Sequence, residues 1–238
     1  MGLKKYTTLV TKIIQYNLKI IFAGKFIWFL LAAFSFFAFF MYQTAYSRLE
    51  INEGTIYTLL MFPCLLLIFY PVIFGIQNDE DNRILEIIFG IPNYRYKVWG
   101  VRMLMVYVSN YFILILFAYI GRLMLYPINI FEMSAQLIFP MLFFGNLAFM
   151  FSTITRSGNG TAVVMIILGL VFFIFMTSNS DIQYSLWNVF LNPFETPRNI
   201  HEMVWQDTIV KSRIFLMITG VIWLMIGLLN LQKREKFV

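Results

Sequence analysis

The chain has 238 residues, of which 60% are hydrophobic and 13% are charged, and its mean hydropathy is +0.76. In soluble domains roughly a quarter of the residues are charged, so this composition excludes a soluble enzyme. It predicts a single all-α integral membrane domain. The formal net charge of +6 is spread over the ends of apolar runs. That distribution is typical of membrane anchoring and argues against nucleic acid as a partner.

The first predicted element, residues 3–22, is a helix that lies on the membrane without crossing it. Lys4, Lys12 and Lys19 recur at helical spacing, and apolar residues such as Leu9 share the opposite side. A basic amphipathic helix of this kind lies in the interface with its lysines toward anionic lipid headgroups. A cleavable signal peptide is the alternative, but no small-residue cleavage site follows a short apolar core.

Six apolar stretches follow, and a helical span requires about 20 such residues. We place the spans at 26–46, 56–76, 99–125, 134–154, 161–176 and 214–231. No charged residue is expected at the centre of a span, which argues against an ion-coupled carrier. Arg102 and Arg122 lie near the two ends of the third span, where long side chains can reach the interface.

The distribution of basic residues predicts the orientation. With these spans, thirteen of the 18 Lys and Arg residues fall on the side of the two termini, and the other five fall on the opposite side. The positive-inside rule then predicts that both termini and the connection 77–98 are cytoplasmic, in a multi-pass protein of the plasma (inner) membrane.

The connection 77–98 carries a pattern of its own. Asp79, Arg83 and Glu86 are spaced i, i+4 and i+7, which places opposite charges on one helical face, while isoleucines occupy the other face. Pro92 disfavours helical geometry at the preceding residue and ends the helix. The pattern predicts a short amphipathic helix that another protein contacts, and an ordinary solvated loop helix is the alternative.

This connection also resembles a known family. The order Glu80, Leu85-Glu86, Ile87-Ile88, Pro92, Arg95, Gly100 and Arg102 is similar to the cytoplasmic loop of type 2 ABC transporter permeases. The sequence departs from the family's pattern where Arg83-Ile84 stands for Gly-Thr and Arg102 stands for Lys.

The resemblance implies a six-span membrane subunit whose short cytoplasmic helix is a coupling helix docked on a separate ATPase subunit. The coupling residues implied are Glu80, Arg83, Leu85, Glu86, Ile87, Pro92 and Arg95. It also implies that the subunit pairs with a second copy or a sister permease.

The long segment 177–213 is predicted to lie on the outer side. A structureless loop of this length is uncommon, so we expect one or two short helices there, anchored in the interface by Trp187 and Trp205. Pro193-Phe194 separates them, and a Pro-Phe pair in this place is also similar to the family.

Catalytic chemistry is missing from the sequence. There is no phosphate-binding GxxxxGK[ST] loop, so ATP and Mg²⁺ are expected in the partner subunit and no cofactor is expected in this chain. His201 is the single histidine, which makes a metal site or an intramembrane serine protease an unfavoured interpretation.

Polar residues inside the spans leave two alternatives open. Asn110 and Asn146 lie near mid-depth in neighbouring spans, where they can hydrogen-bond across a helix contact or line a cargo pathway.

The function expected is the permease subunit of an ATP-driven ABC exporter that moves an amphipathic or apolar cargo, such as a peptide or a drug-like molecule. A non-transporting membrane scaffold or assembly factor is the alternative.

Overall fold

The computed structural model describes residues 26–47, 50–81, 95–178, 180–197 and 200–231. Regular structure in these ranges is entirely helical. The helices are α1 (Phe26–Tyr46), α2 (Glu53–Ile73), α3 (Gly75–Asp81), α4 (Val101–Met124), α5 (Ile130–Thr155), α6 (Gly158–Ser178), α7 (Ser180–Gln183) and α8 (Glu202–Asn230), and a π-helix, Arg95–Gly100, runs directly into α4. The predicted interfacial helix 3–22 lies outside the described residues.

Six of the helical stretches are long and apolar enough to cross a membrane, which confirms the predicted number and makes the chain a multi-pass membrane protein. They are Phe26–Tyr46, Glu53–Asp79, Val98–Met124, Ile130–Thr155, Gly158–Met176 and Glu202–Asn230. Successive spans run in opposite directions, so the bundle has two ends. We call the end at which Asp81 and Arg95 lie the loop end, and the end that carries residues 184–197 the far end.

The fourth span, α5, is the centre of the bundle. It packs against α2, α4, α6 and α8, and 72% of its most apolar window is buried, against 17% for α1 and for α6. The outward faces of α1, α6 and α8 are apolar, with exposed side chains such as Trp28, Ile167 and Ile218. Large apolar faces of this kind are stable only against lipid or other apolar partners.

Glycine allows α5 and α8 to approach each other closely. A Cβ atom on Gly227 would come within 2.7 Å of the Phe149 ring, so a larger residue there would push α8 away from α5. Small residues at helix contacts are how membrane helices gain packing energy, because lipid supplies no hydrophobic drive between them.

Local capping explains where the spans begin. Asn52 caps α2 in a reciprocal capping box with Thr55, Asn129 caps α5, and His201 caps α8. Each side chain accepts a hydrogen bond from a backbone N–H that has no intrahelical partner. α8 therefore begins at Glu202, twelve residues before the predicted span at 214–231, and Lys211 and Arg213 are helical residues and not parts of an outer loop.

Candidate functional site

The predicted ATPase-coupling residues fall mostly outside the part of the chain that the structure describes. Arg83, Leu85, Glu86, Ile87 and Pro92 belong to the undescribed connection 82–94. The two others border it: Glu80 is in α3, and Arg95 begins the π-helix. The structure therefore describes the base of the connection and leaves the coupling prediction itself untested.

A buried ion pair closes that base. Arg102 Nη1 donates to Asp79 Oδ2 at 2.6 Å, and the two side chains are 6% and 3% exposed. The pair joins the last turn before the connection to the first turn of α4 after it. Arg102 therefore points into the bundle, and the prediction that it reaches the membrane interface is wrong. Asp79 also points into the bundle, whereas the sequence pattern places it on a polar face with Arg83 and Glu86.

An aromatic side chain completes the cluster. The Arg102 guanidinium lies 4.5 Å from the ring centroid of Trp99, and Trp99 is 2% exposed and packs against Phe149 of α5. A cation over an indole face gains roughly 0.5–2 kcal/mol, more where water is excluded. The base of the connection is thereby attached to the central helix of the bundle.

Hydrogen bonds tie the same end to the remaining spans. Gln77 Oε1 accepts the Gly158 N–H at 2.7 Å, which links α3 to the start of α6. Ser152 donates to the Ile73 carbonyl at 3.0 Å, and Asn230 donates to the Thr153 carbonyl at 2.6 Å. The two described edges of the connection are therefore attached to α6 through Gln77 and to α5 through Trp99.

The two asparagines singled out in the sequence have different surroundings. Asn146 Oδ1 accepts a hydrogen bond at 2.6 Å from the hydroxyl of Tyr107, so α4 and α5 are joined at mid-depth. Asn110 is buried in α4, one helical turn after Tyr107, and its Nδ2 has no hydrogen-bond partner among the described residues. The contact across the spans is made by Tyr107, which the sequence analysis did not identify.

At the far end, the segment 184–197 is fastened to α2. Asn192 Nδ2 donates to the Gly54 carbonyl at 2.9 Å, and Asn192 Oδ1 accepts the Phe194 N–H at 3.1 Å. The Phe194 ring lies 5.8 Å from the ring of Tyr57. Pro193 and Phe194 thus belong to a turn that docks on α2.

A second buried arginine lies beneath this segment. Arg213 is 4% exposed, and its Nε donates to Gln136 Oε1 at 2.9 Å. Its Nη2 donates to the Tyr57 hydroxyl at 3.2 Å and to the Leu191 carbonyl at 3.1 Å. One guanidinium therefore joins α2, α5, α8 and the segment 184–197.

A cavity of about 430 Å³ opens beside this segment, between the far ends of α1 and α2. Hydroxyl and carboxylate groups line it, including those of Thr44, Thr58, Glu50 and Glu195.

The described side chains contain no group of three or more His, Cys, Asp or Glu residues placed to hold a metal ion. His201 accepts the Met203 N–H at 3.3 Å through Nδ1, as a helix cap. Comparison of the chain with known protein families, with curated proteins and with solved structures gives no match.

Proposed function

We propose that this protein is the membrane-spanning permease subunit of an ATP-driven ABC exporter, with ATP hydrolysed by a separate partner subunit. The coupling helix is the amphipathic pattern within 80–89, and the site of ATPase contact is the undescribed connection 82–94. No ATP- or metal-binding role is assigned to this chain.

The observation that carries the proposal is the buried Asp79–Arg102 pair at the base of that connection. A surface on which another protein pushes must be attached rigidly to the elements that it moves. Removing one partner of a buried ion pair typically costs about 3–5 kcal/mol, so the base of the connection resists local deformation.

The same attachments give a route for movement. ATP binding would change the contacts between the ATPase and the coupling helix, and only such a difference between states can shift the conformation of the permease. The connection is tied through Gln77 to α6 and through Trp99 to α5. A displacement would therefore reach the fifth and fourth spans without first unfolding α3.

Orientation and assembly belong to the proposal as well. The excess of basic residues near the termini and the loop end favours the cytoplasm for both, in the plasma membrane. The apolar outward faces suit contact with lipid and with a second permease copy or a sister permease. An amphipathic or apolar cargo would pass between the two paired permease subunits.

Co-purification tests the proposal directly. Affinity purification of the full chain in mild detergent, followed by mass spectrometry, should recover an ATPase that has no spans of its own. The double variant Arg83→Glu/Glu86→Lys should lose this partner, because unpaired charges at an interface cost on the order of 2–5 kcal/mol.

Glu50→Lys is the matched control, because Glu50 is an exposed carboxylate at the far end and its reversal should leave the recovery unchanged. Absence of any ATPase from the purified wild type would contradict the proposal and favour the scaffold. Equal recovery by the wild type and the double variant would contradict the assignment of the docking site.

A further inference from the structure

Two arginines are buried in the part of the chain that the structure describes, Arg102 and Arg213, and their charges are balanced differently. Arg102 forms an ion pair with Asp79, whereas the described carboxylates form no ion pair with Arg213. The partners of Arg213 are an amide oxygen, a hydroxyl and a backbone carbonyl, all of them neutral. A buried charge without a counter-charge is costly, and ionisable groups in membrane spans usually mark functional sites.

The Arg213 guanidinium also lies 6.0 Å from the ring centroid of Tyr57 and 5.7 Å from that of Phe139, and one of its nitrogens makes no hydrogen bond with the described residues. Nε and Nη2 donate, but Nη1 is buried and has no hydrogen-bond partner among the described atoms. Further buried donors without a described partner lie near the far ends of α5 and α8. They are Ser134 Oγ, Trp205 Nε1 and Ser212 Oγ.

The position of Arg213 along α8 indicates where a counter-charge would come from. Arg213 lies eleven residues after the start of α8, about 17 Å along the axis at about 1.5 Å per residue. The residues that follow, 214–231, contain no charged side chain. The guanidinium therefore lies at the boundary of the apolar part of the span, which is the depth of lipid headgroups.

We propose that Arg213 is a binding site for an oxyanion, and that its ligand is the phosphate of an anionic lipid headgroup. One N–H of Nη1 and one N–H of Nη2 form the planar fork that binds the two oxygens of a phosphate or carboxylate together. The Leu191 carbonyl, a neutral acceptor at 3.1 Å, is the contact that the oxyanion replaces. This site does not depend on the transport function proposed above.

Gln136 provides a direct way to examine the site. Its Oε1 lies 2.9 Å from Arg213 Nε, so Gln136→Glu introduces the missing carboxylate inside the protein. A protein that carries its own counter-charge should no longer gain from a lipid phosphate.

The experiment uses the full chain in nanodiscs made of neutral phosphatidylcholine alone or mixed with anionic phosphatidylglycerol. The thermal midpoint of the wild type should be higher in nanodiscs that contain phosphatidylglycerol than in phosphatidylcholine alone. The wild type should also retain phosphatidylglycerol in native mass spectrometry. Arg213→Gln should lose about 10- to 150-fold in affinity for that lipid, because a hydrogen bond to a charged group is worth about 1.5–3 kcal/mol and each 1.4 kcal/mol is about tenfold in affinity. In phosphatidylcholine alone, Gln136→Glu should be as stable as the wild type. Adding phosphatidylglycerol should change the thermal midpoint of this variant little.

Arg122→Gln is the matched control, because Arg122 is an exposed arginine in the last turn of the third span at the same end. It should retain the lipid as the wild type does. Equal lipid retention by the wild type, Arg213→Gln and Gln136→Glu would overturn the proposal. An Arg213-dependent shift with inorganic phosphate in neutral nanodiscs, but none with phosphatidylglycerol, would overturn the lipid as the ligand.

Discussion

At the loop end, the charge of Arg102 is neutralised inside the fold by Asp79, and the pair lies over a buried tryptophan. At the far end, Arg213 is buried to the same extent, but its contacts with the described residues are neutral and its Nη1 makes no hydrogen bond with them. A charge that is balanced within the protein works as a fixed attachment. A charge that is left unbalanced makes the stability of that end depend on what binds there.

The largest effect should come from breaking the balanced pair. Asp79→Ala leaves the Arg102 guanidinium buried without its partner, so the free energy of unfolding should fall by about 3–5 kcal/mol. Thermal unfolding in detergent and the yield of folded protein measure this loss. The double variant Asp79→Ala/Arg102→Leu should recover part of it, and a double variant that is worse than both single variants would contradict the ion pair.

The far-end arginine should be less costly to remove. Arg213→Met abolishes three hydrogen bonds but leaves no uncompensated charge, so we expect a loss of about 1–3 kcal/mol. The same unfolding assay, in neutral detergent, compares it with Asp79→Ala. A loss as large as that of Asp79→Ala would mean that Arg213 is as well balanced as Arg102, and the difference between the two ends would disappear.

A neutral contact midway between the ends provides a reference. Tyr107→Phe removes the hydroxyl that donates to Asn146 and keeps the ring, so stability should fall by about 1 kcal/mol. Unfolding of this variant and of Asn146→Ala, alone and combined, gives the coupling energy between the two residues. Simple additivity of the two losses would show that the bond does not form.

The smallest effect is expected for the exposed pair Lys211–Asp207, whose side chains are 60% and 58% exposed. Lys211→Ala should change stability by about half a kcal/mol or less, because water screens an exposed pair and the long side chain loses entropy in forming it. An effect comparable to that of Asp79→Ala would mean that burial is not what distinguishes the ion pair at the loop end.

Much of the fold follows from hydropathy alone. The first predicted span, 26–46, has the bounds of α1, because an uninterrupted apolar run leaves little choice of boundary. The start of α8 was placed twelve residues too late, since hydropathy registers the apolar core and misses the polar turns that the His201 cap begins. Asn52 and Thr55, three residues apart, have the spacing of a capping box, which indicates the start of α2 in the sequence.

The contacts of the buried charges were not predictable in the same way. Tyr57 and Arg213 are 156 residues apart in sequence, and Asp79 and Arg102 are 23 apart. Local spacing placed Asp79 on a helix face with Arg83 and Glu86, because sequence periodicity describes one helix at a time. Which side chain meets which across the bundle depends on how the helices pack, and no single-helix pattern contains that information.

We propose that a partner ATPase acts on the connection whose base Asp79 and Arg102 hold. The most direct measurement is ATP hydrolysis by the complex reconstituted in lipid, with the wild type and with Glu86→Lys. Surface substitutions of this kind usually change stability by about half a kcal/mol or less, so the variant should insert and fold normally. We predict that it fails to support the turnover seen with the wild type, and that a compensating charge reversal on the ATPase restores part of it. Equal turnover by the two complexes would show that the partner ATPase does not act through Glu86.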